Sequence, residues 1–441
     1  MSVTTRAQLA MGLATLGLVA LGGSHRARAA GVVSTCDEGH LNTALSGGGL
    51  VTFTCGPATI TVTATRTIQA DTTVDGGGVI TISGGNTVGV FSVNSGVKFT
   101  VQNLTIADGS VNNKGGGIYN DGTLTVTNST FSGNGAIYGG GIYNDDTLAV
   151  TNSTFSGNSA DYGGGIYNDY MATVTNSTFS DNSANSYGGA IYNDDTLAVT
   201  NCTFTGNSAP DGASGGAIYN DDTLTVTNST FTGNSAPDGG SGGGIYNDDT
   251  LTVTNCTFTG NSAYSGGAIY NDDTATVTNT IIAGNSRVNC VDGGSITDGG
   301  HNIDGGPTCG FRGTGCADTS GTSFCNTDPE LDPAGLANNG GPTQTIALCT
   351  GPGTPASCAG RSPAIDAGDN TTCSNPLVSG VDQRGFTRFP PGDPVCDIGA
   401  FEVQPSKAPS AAPAPALSPA GLVALGLLLS ALGSRAVHRR A

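Results

Sequence analysis

Gly115-Gly-Gly-Ile-Tyr-Asn-Asp-Gly-Thr-Leu-Thr-Val-Thr-Asn-Ser-Thr-Phe-Ser-Gly-Asn134 is one pass of a text that the chain repeats seven times. Its opening hexamer, Gly-Gly-(Gly/Ala)-Ile-Tyr-Asn, recurs with Tyr at 119, 143, 167, 192, 219, 246 and 270, at spacings of 24, 24, 25, 27, 27 and 24 residues. A fixed period of this size marks a stack of like structural units. Leu124 and Val126 alternate with Thr125 and Thr127, the period of a strand with one buried face. One repeat cannot bury that face alone, whereas stacked repeats can. Three short extended pieces per repeat, parted by Asn, Asp and Gly turns, describe one coil of a parallel β-solenoid. Ile118, Leu124, Val126 and Phe131 are expected to point inward, and length varies only in the turn-rich stretches 210–214 and 237–241.

Working outward, weaker coils extend the stack, and the fold is expected to be all-β. It is read as a right-handed parallel β-helix of about 10 coils over 57–307, with the seven clear repeats at 115–285. Solenoid ends expose core and need caps. In front, residues 31–56 are expected to hold a short capping helix, N-capped by Thr35, with Leu41 and Leu45 on one face. Cys36 and Cys55 flank it and are expected to pair. Behind, residues 308–403 lose the repeat, gain Pro and carry seven of the 12 Cys, the mark of a disulfide-stapled cap domain. With Cys290 they number eight, and spacing alone leaves their pairing open. Cys202 and Cys256 share one repeat position two coils apart, about 9.6 Å, too far for a disulfide. Both are expected to be free, buried stand-ins for Ser.

The termini read as addresses. Arg6, an apolar run over 9–21 and Ala27-Arg28-Ala29 form a secretory signal over 1–30, consistent with Cys use in an oxidising compartment. Residues 404–416 are a Pro/Ala linker, and 417–441 an apolar stretch ending in Arg439-Arg440, expected to be a sorting or membrane tail. The chain has 15 Lys and Arg against 34 Asp and Glu, and seven of those bases lie outside 31–403. A body that acidic repels polyanions, which removes nucleic acid from the partners.

The repeats from Gly115-Gly-Gly-Ile118 with Phe131-Ser-Gly-Asn134 down to Phe258-Thr-Gly-Asn261 resemble those of polymorphic outer-membrane (Pmp-type) proteins. That resemblance implies a right-handed parallel β-helix displayed on a bacterial surface, often as an adhesin. Residues 338–343, 362–369, 382–386 and 397–402 are similar to choice-of-anchor Q domains of bacterial surface proteins. The tail from Leu417 is similar to IPTL-type C-terminal sorting signals, with Pro415-Ala416-Leu417 where Pro-Thr-Leu is usual.

Four chemistries bear on the repeats. Catalysis by a lyase or hydrolase calls for paired carboxylates and a base that break the repeat pattern. The coils are nearly identical, only Lys98, Lys114 and Arg287 flank or interrupt them, and no His lies between His40 and His301, so the chain is not expected to be an enzyme. Asp121, Asp145, Asp169, Asp194, Asp221, Asp248 and Asp272 form a column that could welcome Ca²⁺. The preferred reading makes Asn-Asp-Asp-Thr a turn bonded to itself, with no cofactor required. Tyr119, Tyr143, Tyr167, Tyr192, Tyr219, Tyr246 and Tyr270 should face outward beside the inward Ile, as a surface ladder for glycans or a stack that stiffens the strands. A Thr grid of ice-binding type is broken by Ala149 and Ala198. The expected function is that of an exported protein of the bacterial cell surface or outer membrane, adhesin-like, binding surface glycans or proteins. The alternatives are a passive spacer and a carbohydrate-active enzyme.

Overall fold

A computed structural model describes residues 31–405. The leader read at 1–30 and the tail read at 417–441 lie outside them. The described chain is a right-handed parallel β-solenoid of about 12 turns. Each regular coil has three strands, as in Ile118–Asn120, Thr123–Thr127 and Thr130–Ser132. Successive coils pair in parallel and in register, Ile142 on Ile118, Leu148 on Leu124 and Phe155 on Phe131. Ile118, Leu124, Val126 and Phe131 are all fully buried, as the alternation required.

The coil count exceeds the expected 10 because the ends coil without the repeat text. Gly31–Val33 pairs with Gly49–Phe53, which pairs with the long strand Thr72–Ser83. At the far end Asp318–Cys325 still pairs with Ile303–Asp304. The helix Glu38–Leu45 lies between the first two strands, with Leu41 fully buried and Leu45 half-buried. Its N-cap is Asp37 rather than Thr35: the Asp37 carboxylate accepts from the His40 amide at 2.8 Å, while Thr35 contributes only a carbonyl to the Asp37 amide. A carboxylate at that position also meets the positive end of the helix.

Two glycine and asparagine columns explain the hexamer and the Thr-Asn-Ser turn. The first Gly of each hexamer, Gly115, Gly139, Gly163, Gly188, Gly215, Gly242 or Gly266, has φ between 64° and 72°. A Cβ there would lie 2.1–2.6 Å from the carbonyl oxygen of the following Ile, so no other residue fits. Asn128, Asn152, Asn176, Asn201, Asn228, Asn255 and Asn279 turn the corner at φ 47–56°, a conformation Asn tolerates better than most.

The coil interior is sewn by side-chain amides. Asn120, Asn144, Asn168, Asn193, Asn220, Asn247 and Asn271 are wholly buried, and each of the first six donates its Nδ2 to the Oδ1 of the next at 2.7–2.8 Å. A second ladder runs from Asn134 through Asn158, Asn182, Asn207, Asn234 and Asn261 to Asn285 at 2.8–2.9 Å. Every rung of it also donates to a Phe or Ile carbonyl of the preceding coil, as Asn182 does to Phe155. Ser129, Ser153 and Ser177 form a third column, and Cys202 and Cys256 continue it. Both are buried and free; the Cys202 thiol faces the Thr200 carbonyl at 3.2 Å just as the Ser153 hydroxyl faces that of Thr151 at 2.9 Å. Burial pushes both thiols up to about 12.

Disulfides join Cys36 to Cys55, Cys290 to Cys309, Cys316 to Cys325, Cys349 to Cys358 and Cys373 to Cys396. Beyond Cys325 the chain does not simply close the end of the stack. It runs back along the shaft and docks on the Asn-(Ser/Cys)-Thr corners. Gln383 donates to the Cys202 carbonyl and to Thr203, and accepts from Thr230. Asn228 meets Val381 and the fully buried Arg388, Thr257 meets Ala400, and Asn279 meets Asp369. Arg388 lies 3.5 Å from Glu402, whose carboxyl is pushed up to about 9 by burial and by Asp397.

Asn182→Ala should lower unfolding stability by about 3 kcal/mol, because it strands the amide donors of Asn158 and the Phe155 carbonyl in a dry core. Asn185→Ala, on the exposed side of the same coil, should cost no more than about 0.5 kcal/mol. Denaturant titration of both variants checks the difference, and equal midpoints would mean the ladder carries no weight.

Candidate functional site

The tyrosine file lies on the ten-stranded sheet of the hexamer strands. Six of its members are half-buried and Tyr143 is buried. Consecutive rings stack at 4.7–5.7 Å with interplanar angles of 3–18°. Because the rings pile along the shaft axis, each covers the face of its neighbour. What the file presents laterally is ring edge and hydroxyl.

The first aspartate column stands beside those hydroxyls. Tyr119 donates to Asp145 of the next coil at 3.1 Å, Tyr143 to Asp169, Tyr167 to Asp194 at 3.3 Å and Tyr192 to Asp221 at 3.3 Å. Burial pushes Tyr119 and Tyr246 up to about 12, aided by the neighbouring carboxylates, and Tyr143, Tyr167, Tyr192 and Tyr219 also move upward. Burial and adjacent carboxylates likewise raise Asp145, and lift Asp194 and Asp248 to about 6. The second column is spent locally: Asp146, Asp195, Asp222 and Asp249 accept from the hydroxyl of the Thr that follows, at 2.8–3.0 Å. Among the described residues no three His, Cys, Asp or Glu side chains converge as a metal site.

The sequence reading missed a second file. Tyr138, Tyr162 and Tyr187 pack beside the first, Tyr138 and Tyr162 stacked at 5.2 Å, with Tyr138 edge-on to Tyr143 and Tyr167. The signal was present in the residue just before each hexamer, which reads Lys114, Tyr138, Tyr162, Tyr187, Ser214, Ser241 and Ser265. Lys114 opens this file, with its ammonium 4.0 Å from the Tyr143 ring centre and donating to the Tyr143 hydroxyl. The strip thus changes character midway. Tyrosines flank it as far as Tyr187, which still packs on Tyr219 at 4.6 Å between ring centres, while serines leave Tyr246 and Tyr270 uncovered by such rings. The hydroxyls of Tyr219, Tyr246 and Tyr270 form no side-chain hydrogen bond within the described residues, and the bonds that dock residues 326–405 fall mainly on the corner at 201–203, 228–230, 255–257 and 279, with His301 meeting the Ala367 carbonyl.

Compared with known proteins, residues 78–231 match the family model for the right handed beta helix region. Residues 228–248 and 255–272 match that for the Chlamydia polymorphic membrane protein repeat. No curated protein and no solved structure matches the chain.

Two titrations test this strip. Absorbance of the phenolates should show a tyrosine class that ionises only at about pH 12 or above, set apart from the exposed tyrosines; one common transition near the free value would refute the packing. The carboxylates act on stability. Asp194 and Asp248 hold their protons more tightly folded, at about 6, than unfolded, so their contribution is complete below the free carboxylate value and is lost as pH rises through about 6. The thermal midpoint should therefore be higher at about pH 5 than at about pH 8. More acid solution should reverse the gain, once Asp37, Glu38, Asp75 and Asp369, all held low, are protonated.

Proposed function

We propose that this protein is an exported, adhesin-like component of the bacterial cell surface, with the shaft as its contact surface. The polymorphic membrane protein repeats support a surface or outer-membrane protein of that type. The observation that carries the binding role is the open half of the strip. Tyr246 and Tyr270, alongside Asp248 and Asp272, offer hydroxyls and carboxylates at one coil per step, unshielded by a second ring file. Such a row suits hydrogen bonding to surface glycans or proteins more than it suits ring stacking. No cofactor is needed for it, and attachment of the protein itself falls to the C-terminal tail.

A passive spacer is the second reading, and the covered half of the strip favours it. There the ring faces cover one another and four hydroxyls are spent on carboxylates, so the shaft satisfies itself.

Display of the full chain on cells decides between them. An adhesin should raise attachment to host or neighbour cells several-fold over cells lacking the chain, with or without a calcium chelator. Attachment no better than that of the deletion would leave only the spacer. Loss of attachment with chelator would return calcium to the aspartate column.

A further inference from the structure

Toward the N-terminus the tyrosine file does not fade; it stops against a groove. In the strand ladder Tyr119 stands opposite Ser92, and Ser92 opposite Thr67. Two small side chains follow where rings would continue the stack, so the outer face of Tyr119 is the one ring face at that end with no ring over it. The lost ring volume appears as space. Tyr119, Ser92, Asn113, Lys114 and Thr65 line a cavity of about 290 Å³. A second of about 480 Å³ adjoins it under Asn86, Ser110 and Asn112, and a third of about 280 Å³ under Asn42, Thr67 and Gln69. Thr65 lines all three, so they form one groove across the irregular first coils.

The lining mixes hydroxyls and amides with Phe91, Val88 and Val111, and it differs in charge from the rest of the shaft. No carboxylate lines any of the three cavities, in a chain with a net charge of −19. Its two cations are already paired: Arg66 with Glu38 at 3.1 Å, with the Ala64 carbonyl at 2.7 Å and with the Asn42 side chain of the lining, and Lys114 with the Tyr143 hydroxyl. The side chains of Thr65, Ser92, Ser110, Asn112 and Asn113 have no hydrogen-bond partner among the described residues, whereas the buried asparagine amides of the regular coils are spent on one another.

We propose that this groove is a binding site for a neutral glycan. One sugar ring lays its C–H face on Tyr119, and its hydroxyls bond to the uncommitted Asn, Ser and Thr side chains. Neutral amides and hydroxyls with one open aromatic face match a sugar, which carries hydroxyls all round and an apolar face. They match neither a polyanion nor a polycation. The inference rests on the proposed role as a surface binder and names the ligand class and the place.

Titration of the full chain with neutral oligosaccharides, found by array and followed by saturation-transfer NMR and calorimetry, tests it. Tyr119→Ala and Thr65→Arg should each weaken binding by about tenfold or more, and Tyr119→Phe should keep it, since the ring face does the work. Asn185→Ala, exposed on a regular coil and outside the groove lining, should leave affinity unchanged. A circular dichroism spectrum unchanged in the variants excludes misfolding, and Thr65 is exposed, so its replacement probes the groove without touching the core. Loss of binding with Tyr246→Ala but not with Tyr119→Ala would move the ligand to the open strip and overturn the groove while sparing the adhesin. Binding only to charged glycans or to peptides would do the same. Cells that attach through the chain although no neutral glycan binds would likewise sink the groove alone. Absence of both attachment and glycan binding would remove the adhesin reading with it.

Discussion

A primary amide can accept from the coil before it and donate to the coil after it, and the rest of this molecule hangs on that property. Two files of buried asparagines use it without interruption, at 2.7–2.9 Å per rung. In a core sealed from water each rung left unmade would strand donors and acceptors on both neighbouring coils. Slippage of one coil by one residue would break both files at once and turn the Ile, Leu, Val and Phe columns outward. Register is therefore held by polar groups inside and by apolar columns between them. The Phe rings from Phe131 to Phe258, at 4.5–4.9 Å, are stacked as a consequence.

The same register that orders the core imposes the surface. Any residue kept at one repeat position becomes a file, so seven tyrosines and their aspartates were bound to be lined up. What a file can do follows from its direction. Rings piled along the axis consume each other's faces, and carboxylates set one coil apart raise each other's proton affinity until phenol hydroxyls share the load. Repetition itself breaks at the serines that replace the second tyrosine file, and at Ser92 and Thr67, where the first file ends.

The block after Cys325 shows a different economy. Its buried Arg388, Gln383 and Glu402 bond mainly to backbone and to corner residues of the shaft. Thr343, Asp369, Gln383, Arg388 and Ala400 each bond to a shaft corner. Side-on docking across several coils ties the shaft's corners together, something an end cap alone would not do.

Much of this was legible in the residues. The hexamer period, the Leu-Thr-Val-Thr alternation and the recurring Phe decide a parallel solenoid, because one repeat has no other way to bury its apolar face. The fate of Cys202 and Cys256 followed from coil spacing alone. The Cys36–Cys55 pair was legible too. The Asp37 cap, the extra end coils and the four disulfides from Cys290 onward were not, since each depends on which groups meet in space rather than on local text. The Asn files were visible as letters but not as ladders: turn asparagines and ladder asparagines look alike until burial separates Asn128 from Asn134. Sequence by itself determined that tyrosines would align. Only the tertiary structure decided that their faces are closed along the file and that Tyr119 is open at its end, because exposure of a ring face is a property of the neighbouring coil.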